Sequence, residues 1–192
     1  MTKLQLREYY TNRRLSLSAS EVANKSKAIT QRFFKAFLID MIEVVHCYLP
    51  LKKKQEIDTF QIIHTIQEQM PQTKVIVPRV IPNSNELEHY LWKPDSILDL
   101  NQWGILEPNP EANSLFPISK IRLVVVPLLA YDRKGHRVGY GKGYYDKFLE
   151  KCNPNTMTVG LSFFDPVKEI TDIEPFDTLL DYCITPKKLW VF

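Results

Sequence analysis

The run Leu123-Val-Val-Val126 constrains the fold more than any other stretch of the chain. Four consecutive apolar residues, mostly β-branched, leave no polar face, so they predict a strand buried on both sides. Such a strand needs helices over both faces of its sheet. Pro127 ends its hydrogen-bonding role. Similar short runs occur at residues 44–49, ended by Pro50, at 74–77, ended by Pro78, and at 158–161. Residues 87–92, 182–185 and 189–192 predict three more strands, the last at an edge.

Helical periodicity fills the intervals. Residues 2–15 predict a helix with Leu4, Leu6, Tyr9 and Tyr10 as apolar points and with Lys3 and Arg7 on one face. Taken alone, that basic face reads as solvated. Ser18-Ala-Ser-Glu21 is a capping box opening a second helix, whose stripe is Val22, Ile29, Phe33 and Phe37. Residues 58–70 predict a third, with Phe60, Ile63, Ile66 and Met70 on one side. Strands alternating with helices imply an α/β fold of three layers, a largely parallel sheet flanked by helices. Residues 94–120 read as a long connection of the kind that often carries function.

A chain of 192 residues suits one domain. A net charge of +3 and a pI near 8.6 are too mildly basic to argue for nucleic acid, and they agree with a small anionic ligand. Cys47, Cys152 and Cys183 are odd in number and widely spaced, which gives neither a disulfide framework nor a zinc site. His46, inside a strand run with no second ligand spaced to it, reads as a core residue. The N-terminus has no signal-peptide pattern, and no apolar run approaches the roughly 20 residues that cross a bilayer. The expected location is cytoplasmic, with no membrane partner.

Beyond Pro127 lies the densest chemistry. Gly135, Gly139, Gly141 and Gly143 are four of the chain's six glycines, and Arg137 and Lys142 sit among them. Tyr144 with Phe148 and Tyr145 with Leu149 then take up helical spacing. Strand, flexible basic loop and helix in that order favour bound phosphate, through bare N–H groups, cations and a helix N-terminus. The spacing matches neither a Walker A loop nor a dinucleotide fingerprint. Asp146 would repel phosphate unless Mg2+ lies between them. His136 has no orienting partner in the sequence and is not read as a catalytic base. Glu56 falls at a strand's carboxyl mouth, where ligands sit in open α/β sheets. It is read either as a grip on a donor-rich ring or as an acid placed against a helix dipole. Trp103 is read either as a stacking surface or as core.

The segment Gly135-x-Arg137-x-Gly139-Tyr-Gly141-Lys-Gly-Tyr-Tyr-Asp146, with Ala-Tyr-Asp132 before it, resembles the signature of the 5-formyltetrahydrofolate cyclo-ligase family. Lys3 and Arg7 with Arg14-Leu-Ser16 resemble the family's first helix. Glu56-Ile-Asp-Thr59, Val77-Pro-Arg79, Gly104-Ile-Leu-Glu-Pro108, Phe176-Asp177 and Ile184-Thr185 extend the similarity over nearly the whole chain. Leu106, Leu128 and Phe164-Asp-Pro166 depart from the family pattern.

The resemblance implies one domain over residues 1–192, a fold similar to sugar-phosphate isomerases and CoA transferases, and a monomer. It implies ATP- and Mg2+-dependent conversion of 5-formyltetrahydrofolate, possibly carrying a polyglutamate tail, to 5,10-methenyltetrahydrofolate, through a phosphorylated formyl group. Lys3, Arg7, Arg137, Gly139, Tyr140, Gly141, Lys142, Gly143, Tyr144 and Tyr145 would bind ATP, with Arg137, Lys142 and Tyr144 catalytic. Leu49, Glu56, Trp103, Tyr140, Gly141 and Tyr144 would bind folate, and Asp146 and Asp177 would bind Mg2+. Two rivals remain at this level. One is a nucleic-acid module using the interleaved Lys, Arg, Gly and Tyr of residues 131–147. The other is a sugar-phosphate isomerase working without ATP.

Overall fold

A computed structural model describes residues 1–101 and 104–192. Two helices, α1 (Lys3–Leu15) and α2 (Ala19–Ala36), precede the first strand, β1 (Val44–Cys47). Then follow α3 (Phe60–Gln69), β2 (Lys74–Val80), β3 (Leu87–Leu91), β4 (Leu98–Leu100), β5 (Leu106–Pro108) and β6 (Leu123–Val126). The chain ends with β7 (Ala130–Tyr131), β8 (Arg137–Val138), α4 (Tyr144–Glu150), β9 (Met157–Leu161), β10 (Tyr182–Ile184) and β11 (Leu189–Val191).

Seven strands form the main sheet in the order β11-β10-β9-β6-β1-β2-β3. The five inner strands run parallel, and only the edge strands β3 and β11 are antiparallel to their neighbours. The pleat sorts the core into two layers. Val45, Cys47, Leu123, Val125, Val159 and Leu161 face α1, α2 and α3, where they meet Leu6, Ile29, Phe33, Ile62 and Ile66. Val44, Ile76, Val124 and Val126 face the other way, onto Phe148 and Leu149 of α4. The expected α/β architecture, helices on both faces of a largely parallel sheet, is therefore the observed one. Among the described residues no helix is long and apolar enough to cross a membrane.

The strand order fixes where a ligand can sit. From β1 the chain crosses through α3 to β2 on one side, and from β6 it crosses through α4 to β9 on the other. Neighbouring parallel strands whose connections diverge leave a crevice beyond their carboxyl ends. The segments entering that crevice are residues 48–59 after β1 and 127–143 after β6.

Several element boundaries differ from the sequence reading. Residues 48 and 49 stay buried but leave the ladder, because β1 pairs with β6 only as far as Cys47–Val125. Pro78 does not end β2. Pairing with β1 stops at Ile76, and past that point the strand has β3 as its one ladder neighbour, so a residue without an N–H is tolerated. Residues 94–120 contain the β4–β5 hairpin rather than open loop, and a second hairpin, β7–β8, interrupts the segment after Pro127. The helix expected over 58–70 begins at Phe60, after a turn in which Thr59 Oγ1 donates to the Tyr48 carbonyl at 2.6 Å. His46 is fully buried, as expected for a core residue, and the three cysteines are unpaired.

Candidate active site

α1 sets one wall of the crevice. A capping box fixes its start: Gln5 N donates to Thr2 Oγ1 at 3.3 Å, and Thr2 N donates to Gln5 Oε1 at 3.0 Å. Lys3, Leu6, Arg7, Tyr10 and Arg14 share one face of the helix, and Leu6 and Tyr10 are buried on it. That burial pulls the basic residues down onto the protein, so their face is not a solvated one. Lys3 Nζ is ion-paired with Asp177, Arg7 Nε donates to the Gly139 carbonyl at 3.0 Å, and Arg14 donates to the Tyr140 hydroxyl. Arg14 is only 6% exposed, and its Nε is buried without a partner.

The β7–β8 hairpin delivers the glycine loop. The buried Asp132 carboxylate closes the turn by accepting from Lys134 N at 2.9 Å and His136 N at 3.1 Å, and it also accepts from Ile170 N at 3.3 Å. His136 Nδ1 lies 3.1 Å from the same carboxylate, which gives that ring a role in the hairpin. Arg137 then enters the interior. One of its nitrogens donates to the Thr178 carbonyl, and the other reaches Asp146 Oδ1 at 2.6 Å. Burial pushes the guanidinium below its ordinary pKa, while the charges of Asp146 and Asp177 oppose that shift. Arg137 thus sits between two carboxylates supplied by α4 and by the 174–178 turn.

Residues 141–143 are exposed, and among the described residues Lys142 makes no ion pair. Gly141 has φ +86°, and a Cβ there would meet the Arg7 guanidinium at 3.1 Å. Glycine at 141 therefore serves both the backbone conformation and the close approach of α1. Gly143, at φ 72°, caps α4 without a side-chain bond. With seven residues α4 has little dipole to offer, so the loop's own N–H groups and cations carry any attraction for phosphate. Tyr144 is half-buried with its hydroxyl 3.4 Å from the Ser84 carbonyl. Tyr145 points inward against His46 and Phe148, and its buried hydroxyl has no partner. That hydroxyl lies within electrostatic reach of Cys47, Glu56 and Arg137.

Glu56 forms the opposite wall at the mouth of β1, near the buried Leu49. The carboxylate is 6% exposed. Its Oε2 accepts from Leu51 N at 2.8 Å, and its Oε1 accepts from the Tyr140 hydroxyl at 2.5 Å. Burial raises its pKa above the ordinary carboxylate range, opposed by Arg14, the Leu51 N–H and Tyr140. A buried carboxylate gripping donors is the arrangement found. The alternative reading, an acid placed against a helix dipole, does not describe it, since α3 starts only at Phe60.

The structure thus gathers Lys3, Arg7, Arg137, the 139–143 loop, Asp146 and Asp177 on one side, with Glu56 and Leu49 on the other and Tyr140 between. Trp103 lies outside the described residues. Arg14 was not among the expected site residues, although its place eleven residues after Lys3, on the stripe of Leu6 and Tyr10, is a signal the sequence contains. A cleft of about 300 Å3 is lined by Arg13, Leu17, Phe163, Phe164 and Thr185. There Glu21 and Asp165 offset Arg13, Lys25 and Lys187, and the orphaned polar atoms are elsewhere.

Known proteins match this chain over nearly its whole length. A family model described as the 5-formyltetrahydrofolate cyclo-ligase family matches residues 1–186. The 5-formyltetrahydrofolate cyclo-ligase of Haemophilus influenzae is 29% identical over 164 residues, covering 83% of this chain and 84% of its own. That of Mycoplasma pneumoniae is 26% identical, over 96% of this chain and 98% of its own. Among solved structures, the 5,10-methenyltetrahydrofolate synthetase of Aquifex aeolicus superposes with a TM-score of 0.82 at 26% identity, covering 100% of this chain and 93% of that one. With the match running through both walls of the crevice, the chain belongs to the 5-formyltetrahydrofolate cyclo-ligase family.

Proposed function

We propose that this chain is an enzyme that uses ATP to close 5-formyltetrahydrofolate into 5,10-methenyltetrahydrofolate, releasing ADP and phosphate. The observation that carries the reading is the crevice itself, where the exposed glycine loop, held by Arg7 at the Gly139 carbonyl, meets the buried Glu56 carboxylate through the Tyr140 hydroxyl. Cations and bare backbone on one side and a buried acceptor on the other suit a phosphate-bearing ligand and a donor-rich ring. Glu56 accepts from the donor edge of the pterin, with Leu49 and Trp103 as further folate contacts. Lys3, Arg7, Arg137 and Lys142 offset the triphosphate, and Gly139, Gly141 and Gly143 bring backbone N–H groups close to it.

The chemistry needs positioning and charge rather than a protein nucleophile. The N5-formyl oxygen attacks the γ-phosphorus, and the bond to the β-phosphate oxygen breaks to release ADP. The formyl carbon, now carrying a phosphate leaving group, is attacked by N10. The carbon–oxygen bond to phosphate breaks, N10 loses its proton, and the methenyl bridge is formed. Arg137 and Lys142 stabilise negative charge on the transferring group, and Tyr144 and Tyr145 stand where the two ligands meet.

Mg2+ would neutralise phosphate charge. Asp146 and Asp177 are a donor set that fits it, because Mg2+ takes only one or two carboxylates alongside phosphate oxygens and waters. Here they hold Arg137 and Lys3, cations that can turn to phosphate when the carboxylates are taken. Among the described residues no cluster of three or more metal-binding side chains occurs, so phosphate and water would complete the coordination. The proposal extends to a single 192-residue domain working in the cytoplasm as a monomer, without nucleic acid or membrane partners. Stopped-flow mixing with Mg-ATP and 5-formyltetrahydrofolate, followed by the near-ultraviolet band of the methenyl product, tests it.

A further inference from the structure

Arg14, Tyr140 and Glu56 form a chain of three polar groups at the carboxyl mouth of β1. The Arg14 guanidinium donates to the Tyr140 hydroxyl, which itself donates to Glu56 Oε1 at 2.5 Å. Arg14 and Glu56 are each 6% exposed, and no direct ion pair joins them. The space between a buried cation and a buried anion is filled by one hydroxyl, used as acceptor on one side and donor on the other.

A pterin ring offers the same two functions on adjacent atoms. Its 2-amino group and N3–H are donors, and its 4-oxo oxygen, next to N3, is an acceptor. A carboxylate can take the donors but has nothing to give the oxygen. A guanidinium with a free buried N–H supplies that missing donor. Resting on the functional reading above, we infer that Arg14 is a specificity-determining residue that reads the 4-oxo oxygen, and that Tyr140 holds the pterin's place when folate is absent. Folate binding then evicts the Tyr140 hydroxyl. Tyr140 lies between Gly139 and Gly141, and Arg7 is bonded to the Gly139 carbonyl, so its movement reaches the nucleotide side of the site.

The two residues should respond in opposite directions. Tyr140→Phe leaves Arg14 and Glu56 without their shared partner in the free protein, which lowers the melting temperature. The ligand restores both bonds, so 5-formyltetrahydrofolate should bind about threefold to tenfold tighter. Arg14→Met should weaken it. A 4-thioxo analogue, which keeps N3–H and the 2-amino group but presents a weak sulfur acceptor, separates recognition from folding. By titration calorimetry the wild type should prefer the 4-oxo ligand at least about tenfold. Arg14→Met should shrink that ratio to within about threefold, and Arg14→Lys should recover part of it. Weaker folate binding in Tyr140→Phe, or an unchanged ratio in Arg14→Met, overturns the inference while leaving the functional reading standing. Failure of the folded wild type to bind either ligand overturns the functional reading, and the inference with it.

Discussion

The Tyr140 hydroxyl donates to Glu56 Oε1 at 2.5 Å across 84 residues of chain. One partner belongs to the glycine loop after β8 and the other to the turn after β1, so this bond joins the two walls of the crevice.

Glu56→Gln should raise the KM for folate far more than the KM for ATP. Charge-assisted bonds of this kind contribute about 1.5–3 kcal/mol, which corresponds to roughly tenfold to a hundredfold. Initial rates with each substrate varied in turn check the split. Equal effects on both substrates would mean that Glu56 holds the fold rather than the ring.

Lys142→Ala should cost turnover on the order of a hundredfold and leave thermal unfolding unchanged. The residue is exposed and makes no ion pair among the described residues, so its removal should leave the packing of the fold unchanged. Single-turnover rates alongside a melting curve separate the two effects.

Asp146→Asn and Asp177→Asn should each move the magnesium requirement to higher concentration. Asp146 pairs with the buried Arg137 guanidinium, so Asp146→Asn should also lower the melting temperature, because a buried charge loses its partner. Activity titrated against Mg2+ at fixed ATP is the readout, and an unchanged midpoint in both variants would remove them as ligands.

Acid should destabilise the protein through His46 and His89, stacked with Phe148 under α4. Burial drives His46 well below its ordinary pKa and lowers His89 to about 4. Both pKa values are depressed on folding, so between about pH 6.5 and 4 the unfolded chain binds protons that the native protein does not. Stability is complete above pH 6.5 and falls as pH drops through this window, by up to about 1.4 kcal/mol per pH unit for each histidine. The raised pKa of Glu56 has the opposite sign: its contribution is present below its ordinary pKa and lost as pH rises through the shifted one. Urea unfolding at pH 7 and pH 5 measures the net slope, and His89→Phe should flatten it.

Periodicity made much of this fold legible. The Ser18–Glu21 capping box marks the start of α2, and the apolar runs locate every strand of the main sheet. The β7–β8 hairpin was not legible, since it pairs only two residues on each strand and is held by the Asp132 carboxylate rather than by an alternating pattern. Pro78 misled for a related reason: whether a proline ends a strand depends on its neighbours in the sheet, which one strand's sequence does not reveal. For the site, spacing alone supported a phosphate-binding loop. Pairing Glu56 with that loop came from family resemblance, because contacts across 84 residues leave no local periodicity. Arg14 was missed because its neighbour Arg13 and the exposed Leu15 mask the buried stripe it belongs to.

If one crevice couples ATP cleavage to ring closure of 5-formyltetrahydrofolate, the two products must appear together, and measuring both at once reads the coupling. Mixed with Mg-ATP and 5-formyltetrahydrofolate, the protein should form methenyl product and ADP in equal amounts, and omission of either substrate should abolish both. Folded protein that forms no methenyl product, or that releases ADP at the same rate without folate, would show that the crevice does not couple the two reactions.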